Sequence, residues 1–130
     1  MYIFKNIFIW QKNLNQMQMK NKTKNKIIAA DFKLCDDNYS KFIGLMFSRR
    51  QGKALIFKFS KERIIALHMF FVFYPIDVLF LDKNKIVVDK KENFRPFTLY
   101  NSKNKAMYAI ELSDGTIKRT KTGIGDRIEF

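Results

Sequence analysis

Three polar side chains stand in or near the most apolar stretch of the chain, Ile64 to Asp82 (IIALHMFFVFYPIDVLFLD). His68 is the only histidine. Its ring nitrogens suit general-base work or metal ligation, although one imidazole on an apolar strand is more often packed with a single satisfied hydrogen bond. Asp77 is flanked by Ile76, Val78, Leu79 and Phe80. A carboxylate in such company must lie at a sheet rim, be paired, or face a pocket, because burying it alone is costly. Arg95, next to Pro96, offers a planar fork of donors that grips an anion or neutralises Asp77. The expectation is a ligand-binding trio. In it Asp77 ends its strand facing a cleft, with Arg95 or His68 within ion-pair reach.

The other reactive residue types carry less. Glu111 reads as a strand residue in an exposed cross-strand ion pair. Asp126 follows Gly125 and is most simply a turn former. Met46 and Met69 read as core gap-fillers. Cys35 sits beside Asp36 and Asp37, whose charges disfavour a thiolate and hence a nucleophile. No Walker loop, dinucleotide-binding glycine pattern, metal-spaced His/Cys set or nucleophile elbow is present. The reading leans away from an enzyme and expects no cofactor and no metal.

These side chains need elements to hold them. The apolar run is long enough to raise a membrane span. However, Asp77 and His68 interrupt it, Pro75 would break a helix, and Ile, Val, Phe and Leu suit buried strands. It reads as strands Ile64–Phe71 and Ile76–Leu81 around a bend at Phe73-Tyr74-Pro75, with no transmembrane segment. Asp82-Lys83-Asn84-Lys85 is a hairpin turn into a return strand, Ile86–Asp89. Upstream, Lys26–Phe32 and Ala54–Phe59 read as strands. Asp36-Asp37 caps a short helix near residues 37–45, whose Tyr39, Phe42, Ile43 and Met46 form one stripe. Downstream, Pro96 marks an edge or crossing segment and Ala106–Leu112 alternates. Ser113-Asp114-Gly115 turns, Thr116–Thr122 holds at most one helical turn, and Arg127–Phe130 is a last strand. The fold class is mostly β or α+β: one small barrel-like or sandwich-like antiparallel domain with one short helix.

With 130 residues, 47% hydrophobic and 15% aromatic, the chain supports one domain and a real core. A single cysteine excludes an internal disulfide framework. The formal net charge is +13. It follows either from a codon bias towards Lys, Asn, Ile and Phe or from a polyanion partner; dispersed Lys implies weak, salt-dependent nucleic-acid binding at most. Residues 1–25 read as a basic, flexible extension, and residues 26–130 as the domain. Lys5, Lys12, Lys20, Lys22, Lys24 and Lys26 come before any acidic residue. Met17 and Met19 are alternative starts. The apolar opening is too short and interrupted for a signal peptide, so a cytoplasmic location is expected.

Several motifs occur in order. They are Gly44-Leu45-Met46-Phe47, Ala54-Leu55-Ile56-Phe57, His68-Met69 followed by Pro75-Ile76-Asp77, Tyr108-Ala109-Ile110-Glu111-Leu112, Gly115, and Gly125-Asp126. Together they resemble domain-of-unknown-function family 192, over roughly Lys26 to Phe130. His68-Met69-Phe70-Phe71 is similar to archaeal members, where many bacterial ones carry Trp in place of His68. The resemblance implies a small, mostly β domain and no established activity. Beside it, the residues themselves support a small-ligand or accessory binding module, with a non-specific nucleic-acid-binding β domain as the alternative.

Overall fold

The computed structural model describes residues 18–35, 53–69 and 73–130. The helix expected near residues 37–45 and the Gly44-Leu45-Met46-Phe47 motif lie outside the described residues. Among the described residues, ten strands and one short helix follow in chain order: β1 Met19–Asn21, β2 Lys26–Ala29, β3 Asp31–Cys35, β4 Lys53–Arg63, β5 Ala66–His68, β6 Ile76–Leu81, β7 Val87–Phe94, β8 Leu99–Asn101, β9 Ala106–Ser113, α1 Thr116–Thr120 and β10 Ile128–Glu129.

The central sheet has the order β3-β4-β9-β6-β7. All six residues of β6 are buried, as are Ala54–Phe57 of β4. A strand with both faces covered loses the polar half of its alternation and reads as a continuous apolar run. That is why Ile76–Leu81 stood out. One face carries Ala54, Ile56, Leu79, Leu81, Ile110 and Leu112, packed against Met19, Ile28, Ile117 and Ile128 of a small sheet ordered β10-β1-β2 and of α1. The other carries Leu55, Phe57, Val78, Phe80 and Ala109, packed against Ile65, Leu67 and Met69 around the two-stranded sheet β5-β8. The result is sandwich-like in layering, and none of the described sheets closes into a barrel.

Two features differ from the expected pattern. β3 and β4 run parallel, with Asp31 opposite Lys53 and Cys35 opposite Phe57, whereas the rest of the central sheet is antiparallel. A parallel pair needs a crossover connection rather than a tight turn, and residues 36–52 supply that length. In addition, the first described strand starts at Met19, ahead of the boundary expected at residue 26. Met19 and Asn21 are fully buried around half-buried Lys20. Three residues are too few for alternation to show through a Lys/Asn-rich context.

Asn21 explains why so polar a strand stays in place. Its Nδ2 donates to Thr122 Oγ1 at 3.0 Å and to Asp126 Oδ2 at 2.9 Å, and its Oδ1 accepts from the Lys24 amide at 3.0 Å. Asp126 also accepts from the Gly123 amide at 2.9 Å and from Lys24 Nζ at 2.8 Å. Burial pushes the Asp126 carboxyl up, but the hydrogen bonds from Lys24, Asn21 and Gly123 outweigh it and hold the group below the usual carboxylate range. Asp126 is therefore more than a turn former. It joins β1 to the segment before β10.

Candidate functional site

Asp77 is the second residue of β6 and shares a face with Leu79 and Leu81. Opposite it, β7 carries an extra residue: Ile76 pairs with Phe94 and Val78 with Lys91. This bulge holds Asn93 at φ 47°, a left-handed conformation that asparagine tolerates better than most residues. The Asn93 amide donates to Asp77 Oδ1 at 3.0 Å. The other oxygen, Oδ2, accepts from the Ile117 amide at 2.9 Å. Ile117 lies in the first turn of α1, whose leading amides have no partner within the helix. Gly115, at φ 86°, precedes that helix and makes no side-chain cap, so Asp77 supplies the missing acceptor from the sheet below. With 1% exposure and two amide donors, it is a buried carboxylate that is satisfied rather than stranded.

The expected trio therefore has different surroundings. Asp77 meets two backbone amides in place of Arg95 or His68. Arg95 is exposed in the turn after β7, and its carbonyl accepts from Thr98 Oγ1. His68 is half-buried at the end of β5, opposite Leu99 of β8. It lines a shallow hollow of about 260 Å³ with Ala66, Leu67, Leu99, Tyr100 and Asn101. Glu111, expected in an exposed ion pair, is 2% exposed, because β9 runs between β4 and β6 and places it between Leu55 and Val78. Met69 is fully buried, as its gap-filling role requires. Cys35 is buried at the end of β3.

The structure adds a neighbour of Asp77 that its turn context concealed. Asp114, in the Ser113-Asp114-Gly115 turn after β9, stands beside Asp77 because the start of β6 pairs with the end of β9, Ile76 opposite Ser113. Desolvation, the adjacent Asp77 charge and a carboxyl–carboxyl hydrogen bond raise the Asp114 pKa, against the lowering effect of the Gly115 amide. Asp114 faces solvent beside the buried Asp77 and keeps its proton to a higher pH than a free carboxyl does.

Asp114 opens onto a cleft of about 260 Å³. Its walls come from β2 (Ile28, Ala29), the first residue of β4 (Lys53), the end of β9 (Leu112, Ser113) and α1 (Thr116, Arg119). The Arg119 guanidinium is anchored by the Ile27 and Ile28 carbonyls, at 3.3 and 3.0 Å. Two cations thus share a cleft with a carboxyl of raised pKa over an apolar floor. Lys53 and Arg119 were unremarked in the sequence because each is one of 25 basic residues; only the register of β2, β4 and α1 brings them together. Among the described residues, no group of three His, Cys, Asp or Glu is placed to hold a metal, and no helix is long and apolar enough to cross a membrane.

Comparison with known proteins agrees with this fold. Residues 17–130 match DUF192, described as Uncharacterized ACR, COG1430. A UPF0127 protein of Thermococcus sibiricus is 38% identical over 112 residues, covering 85% of this chain and 72% of that one. A UPF0127 protein of Pyrococcus furiosus is 37% identical over 114 residues, covering 86% and 97%. A crystal structure from Sinorhizobium meliloti, described as that of a candidate transcription regulator, superposes with a TM-score of 0.75 at 25% identity over 86% of this chain and 89% of that one. A protein of unknown function from Novosphingobium aromaticivorans shares the fold, with a TM-score of 0.74 at 18% identity over 87% and 82%. The chain belongs to the DUF192 family, and its curated relatives here are archaeal.

Proposed function

We propose that this protein is a small-ligand binding module whose ligand is a small anion, a carboxylate or phosphate compound, seated in the cleft between β2, β4 and α1. The observation that carries the reading is the pairing of opposite chemistries there: Lys53 and Arg119 line the same cleft as Asp114, whose pKa is raised. Lys53 and Arg119 supply the charge, and Asp114 in its protonated form donates a hydrogen bond to a ligand oxygen. Arg119 is held by two carbonyls before any ligand arrives, so little side-chain freedom is lost on binding. In this reading Asp77 is the buried neighbour that adds to the effect of desolvation in raising the Asp114 pKa. The apolar floor of Ile28, Ala29 and Leu112 takes the carbon part of the ligand.

The test is a thermal-shift series with inorganic phosphate, acetate and citrate, together with native mass spectrometry of the purified protein. The reading predicts a saturable rise in melting temperature with at least one of these anions that is lost in Lys53→Ala and in Asp114→Ala. Equal shifts in wild type and both variants would mean that the anions act elsewhere, and the cleft reading would fall.

A further inference from the structure

Phe97 is anomalous in two independent ways. Its backbone is left-handed, at φ 61°, and its ring is 61% exposed. Glycine or asparagine suits such a backbone, and a bulky residue there is strained. Burial of the ring would offset the strain, but the ring stands in solvent. Among the described residues, the others with positive φ besides glycine are Asn25, Lys85, Asn93 and Lys121, none of them aromatic. Strain of this kind is tolerated where a function uses the side chain.

The surroundings of Phe97 have the same character. Phe73, 76% exposed, meets it edge-on, with ring centroids 5.7 Å apart. Leu99 is 68% exposed. The two chain segments are tied together, since Met69 N donates to the Thr98 carbonyl at 3.0 Å and Phe97 N to the Met69 carbonyl at 2.8 Å. Met69 thus braces the backbone that carries Phe97. Nearby charges are mainly basic. Arg95 is two residues from Phe97, Lys91 lies over the Tyr100 ring at 5.4 Å, and Lys103 and Lys105 follow β8 in exposed positions. Of the acidic residues there, Asp89 is buried and bonded to Tyr100 and to the Lys103 amide, and Glu92 is paired with Lys90 at 3.8 Å.

We propose that the Phe73–Phe97–Leu99 tip docks this protein onto an anionic lipid surface. The apolar side chains enter the boundary between headgroups and acyl chains, and Arg95 and the neighbouring lysines meet the lipid phosphates. A second copy of this chain is disfavoured as the occupant, because each copy carries +13. A nucleic acid is a poorer fit, because Phe73 and Phe97 already engage each other and Leu99 has no π face to offer a base. This inference is independent of the anion cleft, which lies between other elements.

The test is co-sedimentation of the full chain with vesicles of phosphatidylcholine and phosphatidylserine in equal parts, and with vesicles of phosphatidylcholine alone. Phe97→Gly removes the ring and relieves the left-handed strain, so it should melt no lower than wild type. It should bind the mixed vesicles about tenfold more weakly. The N-terminal lysines are common to both proteins, so the difference reports the tip. Wild type should bind the neutral vesicles weakly. Equal vesicle binding by wild type and Phe97→Gly, or no binding by wild type, would overturn the proposal. So would binding of single-stranded oligothymidylate that Phe97→Gly abolishes while vesicles go unbound; that outcome would assign the tip to nucleic acid.

Discussion

Asp77→Asn isolates the carboxylate at the centre of the site with almost no change in volume. Asp77 accepts one hydrogen bond on each oxygen, from Asn93 at 3.0 Å and from Ile117 at 2.9 Å. An asparagine has one acceptor oxygen, so one of these amides must face an NH₂ group instead. Losing a hydrogen bond to a charged acceptor costs about 1.5–3 kcal/mol. Part of this is offset, because the new amide can donate to Asp114 and the like-charge repulsion disappears. The net expectation is a loss of about 1–2 kcal/mol, which for a domain of this size lowers the melting temperature by roughly 4–7 °C. Urea and thermal melts measure it. Asp114→Asn should do the opposite and leave stability equal or higher at neutral pH. A raised carboxyl pKa means that the folded chain holds a proton which the unfolded chain has released. Wild-type stability from this group is therefore full below the unfolded value of 3.8 and declines as pH rises through the folded pKa. Asp114→Asn should flatten that decline. The double variant closes a cycle, and strict additivity would refute the coupled pair. So would an Asp77→Asn protein that melts like wild type, because the two amide bonds would then carry no weight.

Three further outcomes are expected. Asp126→Ala strands the buried Asn21 amide and removes the bonds from Lys24 and Gly123, and should cost about 3–4 kcal/mol in urea melts. The lowered Asp126 pKa gives stability that is present above the unfolded carboxylate value and is lost as pH falls through the folded one, so this variant should also show a shallower acid transition. Tyr100→Phe removes the 2.8 Å bond to Asp89 and should cost about 1 kcal/mol; ultraviolet titration of wild type should show one phenol ionising near pH 12, raised by burial and by the bond to and charge of Asp89, and absent from the variant. A chain begun at Met17 should melt within a few degrees of the full one, because the family match starts there and β1 at Met19, whereas a chain begun after Asn21 should lose cooperative unfolding.

The parts of the fold that were readable in advance are those in which one residue type dominates a whole element. Ile76–Leu81 was placed to the residue because both its faces are buried and its composition says so. The Asp82–Lys85 turn was readable because Asp82 accepts the amides of Asn84 and Ile86, which is what a turn aspartate does. β4 was expected to stop at Phe59, yet it runs on through Lys61-Glu62-Arg63, because strand pairing at Arg63 with Ala106 tolerates polar side chains at the sheet end. The site was readable only in half. Asp77 declared itself as a charge in an apolar strand, but its partners are backbone amides freed by a bulge and by a helix start, and amides leave no mark in composition. Asp114 looked like any turn residue, and Lys53 and Arg119 like any surface cation. Their convergence depends on strand register, which no local pattern carries.

The small sheet puts β1 between β2 and β10, so an early strand is flanked by one made much later. Asn21 and Asp126 are 105 positions apart. At about 5–20 residues per second, synthesis separates them by roughly 5–20 s. Throughout that interval Met19 and Asn21 can meet β2 but not the partners that fill the other side of β1. The nascent chain thus shows an unsatisfied edge on β1 until β10 has been made, and β10 acts as a latch over it. Termination or proteolytic cleavage ahead of β10 would release β1 as well.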